Sequence, residues 1–158
     1  MNTAICPFSG DPITYGHMDI IERAAGQFDK VIAAIGINPL KQYSFTMEER
    51  LQMAREALKH LPNVEVDSYE GLLADFAHRR NATVIIRGIR NHEDFEYEWM
   101  LHQINEGIDK SLETFWMPCK KDKEEISSTS VKKLWHSGAD ISALVPPPVI
   151  SLFRQKSV

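Results

Sequence analysis

The chain has 158 residues, 43% hydrophobic and 25% charged, with 18 Lys plus Arg against 22 Asp plus Glu for a formal charge of −4. This length carries one ordinary globular domain, read as 1–158, whose core needs no disulfide staple. The mild acidic balance excludes a general nucleic-acid or membrane-surface binder, which carries a basic excess, yet leaves room for a small anionic substrate.

Short apolar runs predict strands over 3–7, 31–36, 64–67, 83–87 and 114–117. Amphipathic stretches fill the gaps. Met18, Ile21, Ala25 and Phe28 put one apolar face on a helix starting near His17. Thr46, followed three residues later by Glu49, is a capping box, and Leu51, Ala54, Leu58 and Leu61 supply the stripe of the helix it opens. Leu72, Leu73, Phe76 and Ala77 predict a third helix, and Phe95, Trp99 and Ile104 a fourth between Asn91 and Gly107. Ile126-Ser127-Ser128-Thr129-Ser130 before Val131 reads as another capped start, and Pro146-Pro147-Pro148 as a sharp local break.

Strands that alternate with helices and show little period-two polarity indicate an α/β domain, a doubly wound five-stranded parallel sheet covered on both faces. Such sheets bind ligands outside the carboxyl ends of their strands. The first such loop, Phe8-Ser9-Gly10-Asp11-Pro12-Ile13-Thr14-Tyr15-Gly16-His17, runs directly into a helix, whose unpaired N–H groups suit a phosphate. Gly16 lets the backbone approach that anion, and His17 in the first turn points its imidazole there. Lys41, Arg87, Arg90, Lys120, Lys121 and Lys123 follow later strands, so these cations are expected to converge on one polyphosphate without the whole protein being basic.

Cys6 and Cys119 have no Cys or His companion at metal-ligand spacing and read as small buried hydrophobes; no protein metal site is predicted. Met1-Asn2-Thr3-Ala4 carries no basic run and no long apolar stretch follows, so a signal peptide or membrane span is not expected and the cytoplasm is.

Thr14-x-Gly16-His17, Arg87-Gly88-Ile89-Arg90, Phe95-Glu96-Tyr97-Glu98 and Ile126-Ser127-Ser128, in this order, resemble the bacterial phosphopantetheine adenylyltransferases over nearly the whole chain. The first motif alone points to the wider nucleotidyltransferase superfamily and its Rossmann-like fold. The resemblance implies transfer of AMP from ATP to 4′-phosphopantetheine, giving dephospho-coenzyme A and pyrophosphate, by direct in-line attack without a covalent intermediate. It also implies a need for Mg²⁺, feedback binding of coenzyme A, and a homohexamer built from two trimers.

Carried over position by position, the resemblance implies that His17, Lys41, Arg90 and Ser128 act in catalysis. Ser9, Lys41, Leu73, Arg87 and Asn105 would bind the phosphopantetheine. Ser9, Gly10, His17, Gly88, Ile89, Arg90 and Glu98 would meet ATP, and the segment Lys123, Glu124, Glu125, Ile126, Ser127, Ser128, Thr129 would close over it. The chain departs from the family pattern where Phe8-Ser9-Gly10 replaces a Gly-Thr/Ser-Phe order. It departs again at Lys123 and Glu125, where an aromatic and an apolar residue are usual, and at Lys133, commonly acidic. Two other readings stay open: a different small-molecule enzyme, such as a nicotinate mononucleotide adenylyltransferase, and a nucleotide or coenzyme A sensor without turnover.

Overall fold

The computed structural model describes residues 1–156. Its elements in chain order are β1 (Thr3–Phe8), α1 (Tyr15–Ala25), β2 (Lys30–Gly36), α2 (Met47–Leu58), β3 (Val64–Tyr69), α3 (Leu73–Arg79), β4 (Val84–Ile89), α4 (His92–Ile108), β5 (Glu113–Pro118), α5 (Ser128–His136) and α6 (Pro147–Lys156), with a 3₁₀ turn at Lys121–Lys123. All five strands are parallel, in the order β3-β2-β1-β4-β5. The chain therefore builds outward from β1 to one side and then returns to the other, which leaves a switch point between β1 and β4.

The apolar runs are continuous because both faces of the central strands are buried. Ala4, Cys6, Val31, Ala33, Ile35 and Ile86 point into one core with Met18 and Ile21 of α1, Met53 and Leu58 of α2, Val131 of α5 and Phe153 of α6. Ile5, Ile32, Ala34 and Ile85, at the alternate positions, face a smaller core with Ala74, Phe76 and Ala77 of α3. Period two survives only as a choice of which core receives the side chain.

Local chemistry sets the helix starts. The Thr46 capping box is present: the Thr46 N–H donates to Glu49 Oε2 at 2.8 Å, and the Glu49 N–H donates to Thr46 Oγ1 at 3.2 Å. Helix α1 begins two residues earlier than expected and stops at Ala25, before Phe28, because Thr14 caps it and Gly26 ends it. Phe28 packs beyond the helix instead, against the core and Phe115.

The triproline is the main correction. It does not merely interrupt the chain; Pro147 opens α6, where a ring with fixed φ and no N–H suits the first helical position. Phe153 of α6 is fully buried, edge-on to Phe45 at 5.1 Å and against Trp135 at 5.1 Å. Phe153→Ala is expected to cost about 3–5 kcal/mol in urea unfolding; a loss below about 1 kcal/mol would show that α6 is not part of the cooperative core.

Candidate functional site

A cavity of about 380 Å³ opens at the carboxyl ends of β1 and β4, at the switch point. Its walls come from Phe8 and Ser9 at the end of β1, Gly16 and His17 at the start of α1, Arg87, Gly88 and Arg90 at the end of β4, and Ile126, Ser127 and Ser128 at the start of α5. Two helix amino termini, those of α1 and α5, thus meet one pocket and add their partial positive charge to it.

His17 occupies the third position of α1 and completes an unusual capping box. Its own N–H donates to Thr14 Oγ1 at 3.4 Å, and its Nδ1 accepts the Thr14 backbone N–H at 3.0 Å. A backbone N–H is only a donor, so Nδ1 carries no proton and the neutral ring holds its hydrogen on Nε2. Burial, helped by the Arg87 and Arg90 guanidinium charges, pushes the His17 pKa down to about 4. At neutral pH the residue is a neutral Nε2–H donor in a cavity wall.

That depression has a testable sign. An unfolded histidine titrates near 6.5, so on lowering the pH the unfolded chain takes the proton first and the native state loses stability down to about pH 4. The contribution reaches about 3 kcal/mol. Urea unfolding at pH 7 and pH 4.5 is expected to show a larger loss for the wild type than for His17→Gln; equal losses would place the His17 pKa at its ordinary value.

The cations divide by their partners. Arg87 is clamped: its Nε and Nη2 donate to the two carboxylate oxygens of Glu98, both at 2.7 Å, and its Nη1 donates to the Pro7 carbonyl at 2.6 Å. Arg90 is held by Asp94 through Nε at 2.9 Å and Nη2 at 3.2 Å, and that contact keeps the Asp94 carboxyl below its usual range. Lys41, on the exposed loop after β2, lines the cavity with no carboxylate within salt-bridge distance among the described residues. With both acids spoken for, the pocket retains an excess of positive charge although the chain is net acidic.

A second cavity, about 360 Å³, adjoins the first and shares Phe8, Ser9, Lys41, Arg87, Tyr97 and Glu98 with it. Its far end is different in character: Leu73, Leu101, Ile104 and Tyr69 with the Asn105 amide make a mostly apolar slot with a few hydrogen-bonding groups. Lys41 and Arg87 therefore stand where a ligand in one cavity meets a ligand in the other.

The structure brings Ser9, His17, Lys41, Arg87, Gly88, Arg90, Glu98, Ile126, Ser127 and Ser128 around the first cavity, and Leu73 and Asn105 into the second. Gly10, Ile89, Lys123, Glu124, Glu125 and Thr129 lie outside both linings, as do Lys120 and Lys121. The expected convergence of all six cations is corrected to three. Lys120 turns to Asp19 at 3.0 Å and Lys123 to Asp122 at 2.7 Å, because nearer carboxylates satisfy them. Ser128 Oγ donates to the Pro12 carbonyl at 2.8 Å, so its hydroxyl ties α5 to the first loop, and α5 offers the cavity its first N–H groups.

Arg50 and Asp11 belong to no motif of the sequence, yet both hold the site together. The buried Arg50 donates to the Ser9 carbonyl at 2.8 Å and the Gly36 carbonyl at 3.3 Å, holding the ends of β1 and β2 from behind. Its signal was an arginine on the buried stripe of α2, one turn before Met53 and Ala54. Buried Asp11 accepts the Ser44 and Phe45 N–H groups at 3.0 and 2.9 Å and pairs with Lys132 at 3.0 Å, which locks the first loop to α5. His102 is half-buried against Trp116 and lines the second cavity. Cys6, whose thiol burial pushes up to about 12 despite Arg87, is no nucleophile.

Residues 9–134 match the cytidylyltransferase-like family. The chain is 46% identical over 156 residues to a phosphopantetheine adenylyltransferase from Symbiobacterium thermophilum, covering 99% of this chain and 96% of that one. The chain belongs to the phosphopantetheine adenylyltransferase family. Other members include the Carboxydothermus hydrogenoformans protein, 47% identical with 99% and 96% covered, and the Mannheimia succiniciproducens protein, 41% identical with 98% of each covered. The solved structure of a candidate nicotinate-nucleotide adenylyltransferase from Vibrio parahaemolyticus shares the fold, with a TM-score of 0.73 over 98% of this chain and 93% of that one at 21% identity.

Proposed function

We propose that this protein transfers AMP from ATP to 4′-phosphopantetheine, producing dephospho-coenzyme A and pyrophosphate in coenzyme A synthesis. The observation that carries the reading is the junction of the two cavities at Ser9, Lys41 and Arg87. The first cavity, with His17 and two helix termini, suits the triphosphate; the second suits a long, thin, amide-bearing arm. An acceptor phosphate at the junction then lies beside the α-phosphorus. One of its oxygens forms the new P–O bond as the bond from the α-phosphorus to the bridging oxygen breaks, and pyrophosphate leaves with those electrons.

No side chain needs to form a covalent bond. His17 donates from Nε2 to an α-phosphate oxygen as charge builds there, and Lys41 offsets the repulsion between the two phosphates. Arg87, fixed by Glu98 and Pro7, keeps one N–H on each terminal nitrogen for the acceptor phosphate, and Arg90 faces the nucleotide. Ser128 holds the α5 terminus in place. Catalysis is positioning plus charge stabilisation.

Among the described residues no three His, Cys, Asp or Glu groups converge into a metal site, and Asp94 and Glu98 are bound to arginines. The donor set does not fit a resident Mg²⁺, which is instead proposed to arrive with the nucleotide phosphates as part of the substrate.

Among the described residues no helix is long and apolar enough to cross a membrane, and both cysteines are free, which supports a reducing cytoplasmic setting. A homohexamer is proposed because α4 leaves Trp99 and Met100 exposed outside both cavities, apolar surface that a second copy would cover; light scattering at the mass of a monomer would reject it. Coenzyme A, which contains both ligand halves, is expected to compete for the same joined cavities.

The deciding assay is pyrophosphate release from ATP, Mg²⁺ and 4′-phosphopantetheine. Release no greater than in the absence of protein would sink the reading, and turnover of nicotinate mononucleotide in place of phosphopantetheine would move the protein to another member of the superfamily.

A further inference from the structure

The last residue of β1, at the mouth of the phosphate-binding loop, carries an aromatic ring where such a loop has little use for one. Phe8 is half-buried, lines both cavities and packs its ring on His17, centroid to centroid 5.1 Å with 41° between planes. Its position is set by the next turn. Gly10 has φ +60°, and a Cβ built on it would come 3.1 Å from Phe8 Cε2 and 3.5 Å from Ile35 Cδ1. The missing side chain at residue 10 is thus the space that the ring of residue 8 fills, and any side chain there would be both strained and in the way.

His17 is held at one ring nitrogen by the Thr14 N–H, which fixes that edge but leaves the ring's faces to packing. The one aromatic ring packed on His17 among the described residues is that of Phe8. We propose that Phe8 is a positioning residue for the adenylyl transfer: its ring packs on His17, keeps water from it and aims Nε2–H at the α-phosphate. This rests on the proposed function for its catalytic consequence, and on the geometry alone for its effect on His17. The groups that face His17 from neighbouring elements are Thr14 at the helix start and the guanidinium groups of Arg87 on β4 and Arg90 just after it. Both arginines are held by Glu98, the Pro7 carbonyl and Asp94 rather than by the Phe8 ring, so a change in His17 reports the loss of the ring.

The experiment compares Phe8→Ala and Phe8→Leu with the wild type. Phe8→Ala is expected to lower kcat at least tenfold while the KM values for ATP and 4′-phosphopantetheine move less than threefold. In the same variant the His17 ring, assigned by NMR from the signal lost in His17→Gln, is expected to titrate at least one pH unit higher. Phe8→Leu, which keeps a bulky apolar group against the ring, is expected to recover kcat to within threefold and to restore the titration. Phe8→Val takes the place of Phe8→Ala if circular dichroism shows the latter unfolded. An unchanged His17 titration overturns the proposal, and so does an unchanged kcat in an active protein. If the wild type has no adenylyltransferase activity, the proposed function fails separately, and the titration alone decides the role of Phe8.

Discussion

His17→Ala is expected to lower kcat for pyrophosphate release by about 10²–10³-fold, the usual loss when one preorganised donor to developing charge is removed. KM should change little, because the Nε2–H contact strengthens as charge builds on the α-phosphate and contributes less in the ground state. The variant also loses half of the capping box, since the Thr14 N–H no longer meets Nδ1. A cap is worth about 1 kcal/mol, so the fold should survive and the kinetic loss be readable. Stopped-flow or coupled pyrophosphate detection at saturating substrates measures it directly. A kcat within threefold of wild type would remove His17 from the chemistry and leave it as a helix cap.

The second large effect is expected at Glu98, whose side chain is 7% exposed and is bound twice by Arg87. Glu98→Ala leaves a guanidinium held only by the Pro7 carbonyl in a poorly solvated wall. Breaking one side of such a pair typically costs about 3–5 kcal/mol, more than the intact pair contributes to stability, because the remaining charge is uncompensated. Glu98→Gln keeps the shape and one acceptor and should lose less. In both variants Arg87 gains freedom at the junction of the cavities, so KM for 4′-phosphopantetheine should rise more than KM for ATP. Urea unfolding and substrate titrations check the two parts. A Glu98→Ala protein with a stability loss below about 1 kcal/mol and unchanged KM values would show that Arg87 does not depend on this clamp.

Glu98 shows why some of the site could not be read along the chain. The Phe95-Glu96-Tyr97-Glu98 stretch is visible, but nothing in its spacing says that Glu98 serves an arginine eleven residues earlier on β4, rather than a nucleotide. Lys120, Lys121 and Lys123 fail in the opposite way. They follow a strand end as Lys41 does, yet Lys120 and Lys123 are taken by acids a few ångströms away. A cation's availability depends on its nearest carboxylate: for Lys123 it is the adjacent Asp122, but for Lys120 it is Asp19 of α1, which sequence order does not reveal. The triproline was legible as a boundary but not as a beginning, since a proline stops one helix and starts another by the same lack of an N–H.

By itself the sequence determined the alternation of strand and helix, the burial of both sheet faces, the capped starts of α2 and α5 and the Thr14-x-Gly16-His17 motif at the first strand end. These are local or periodic properties, carried by neighbours within one turn or one strand. Only the tertiary structure decided the tautomer of His17, the clamping of Arg87 and Arg90, the unpaired state of Lys41 among the described residues, and the seat of the Phe8 ring in the gap left by Gly10. Each of those depends on which rotamers and backbone path bring particular atoms within about 3–5 Å, even for groups only two to four residues apart such as Thr14 and His17 or Arg90 and Asp94, and hydrogen bonds and ring packing fall off steeply beyond that range.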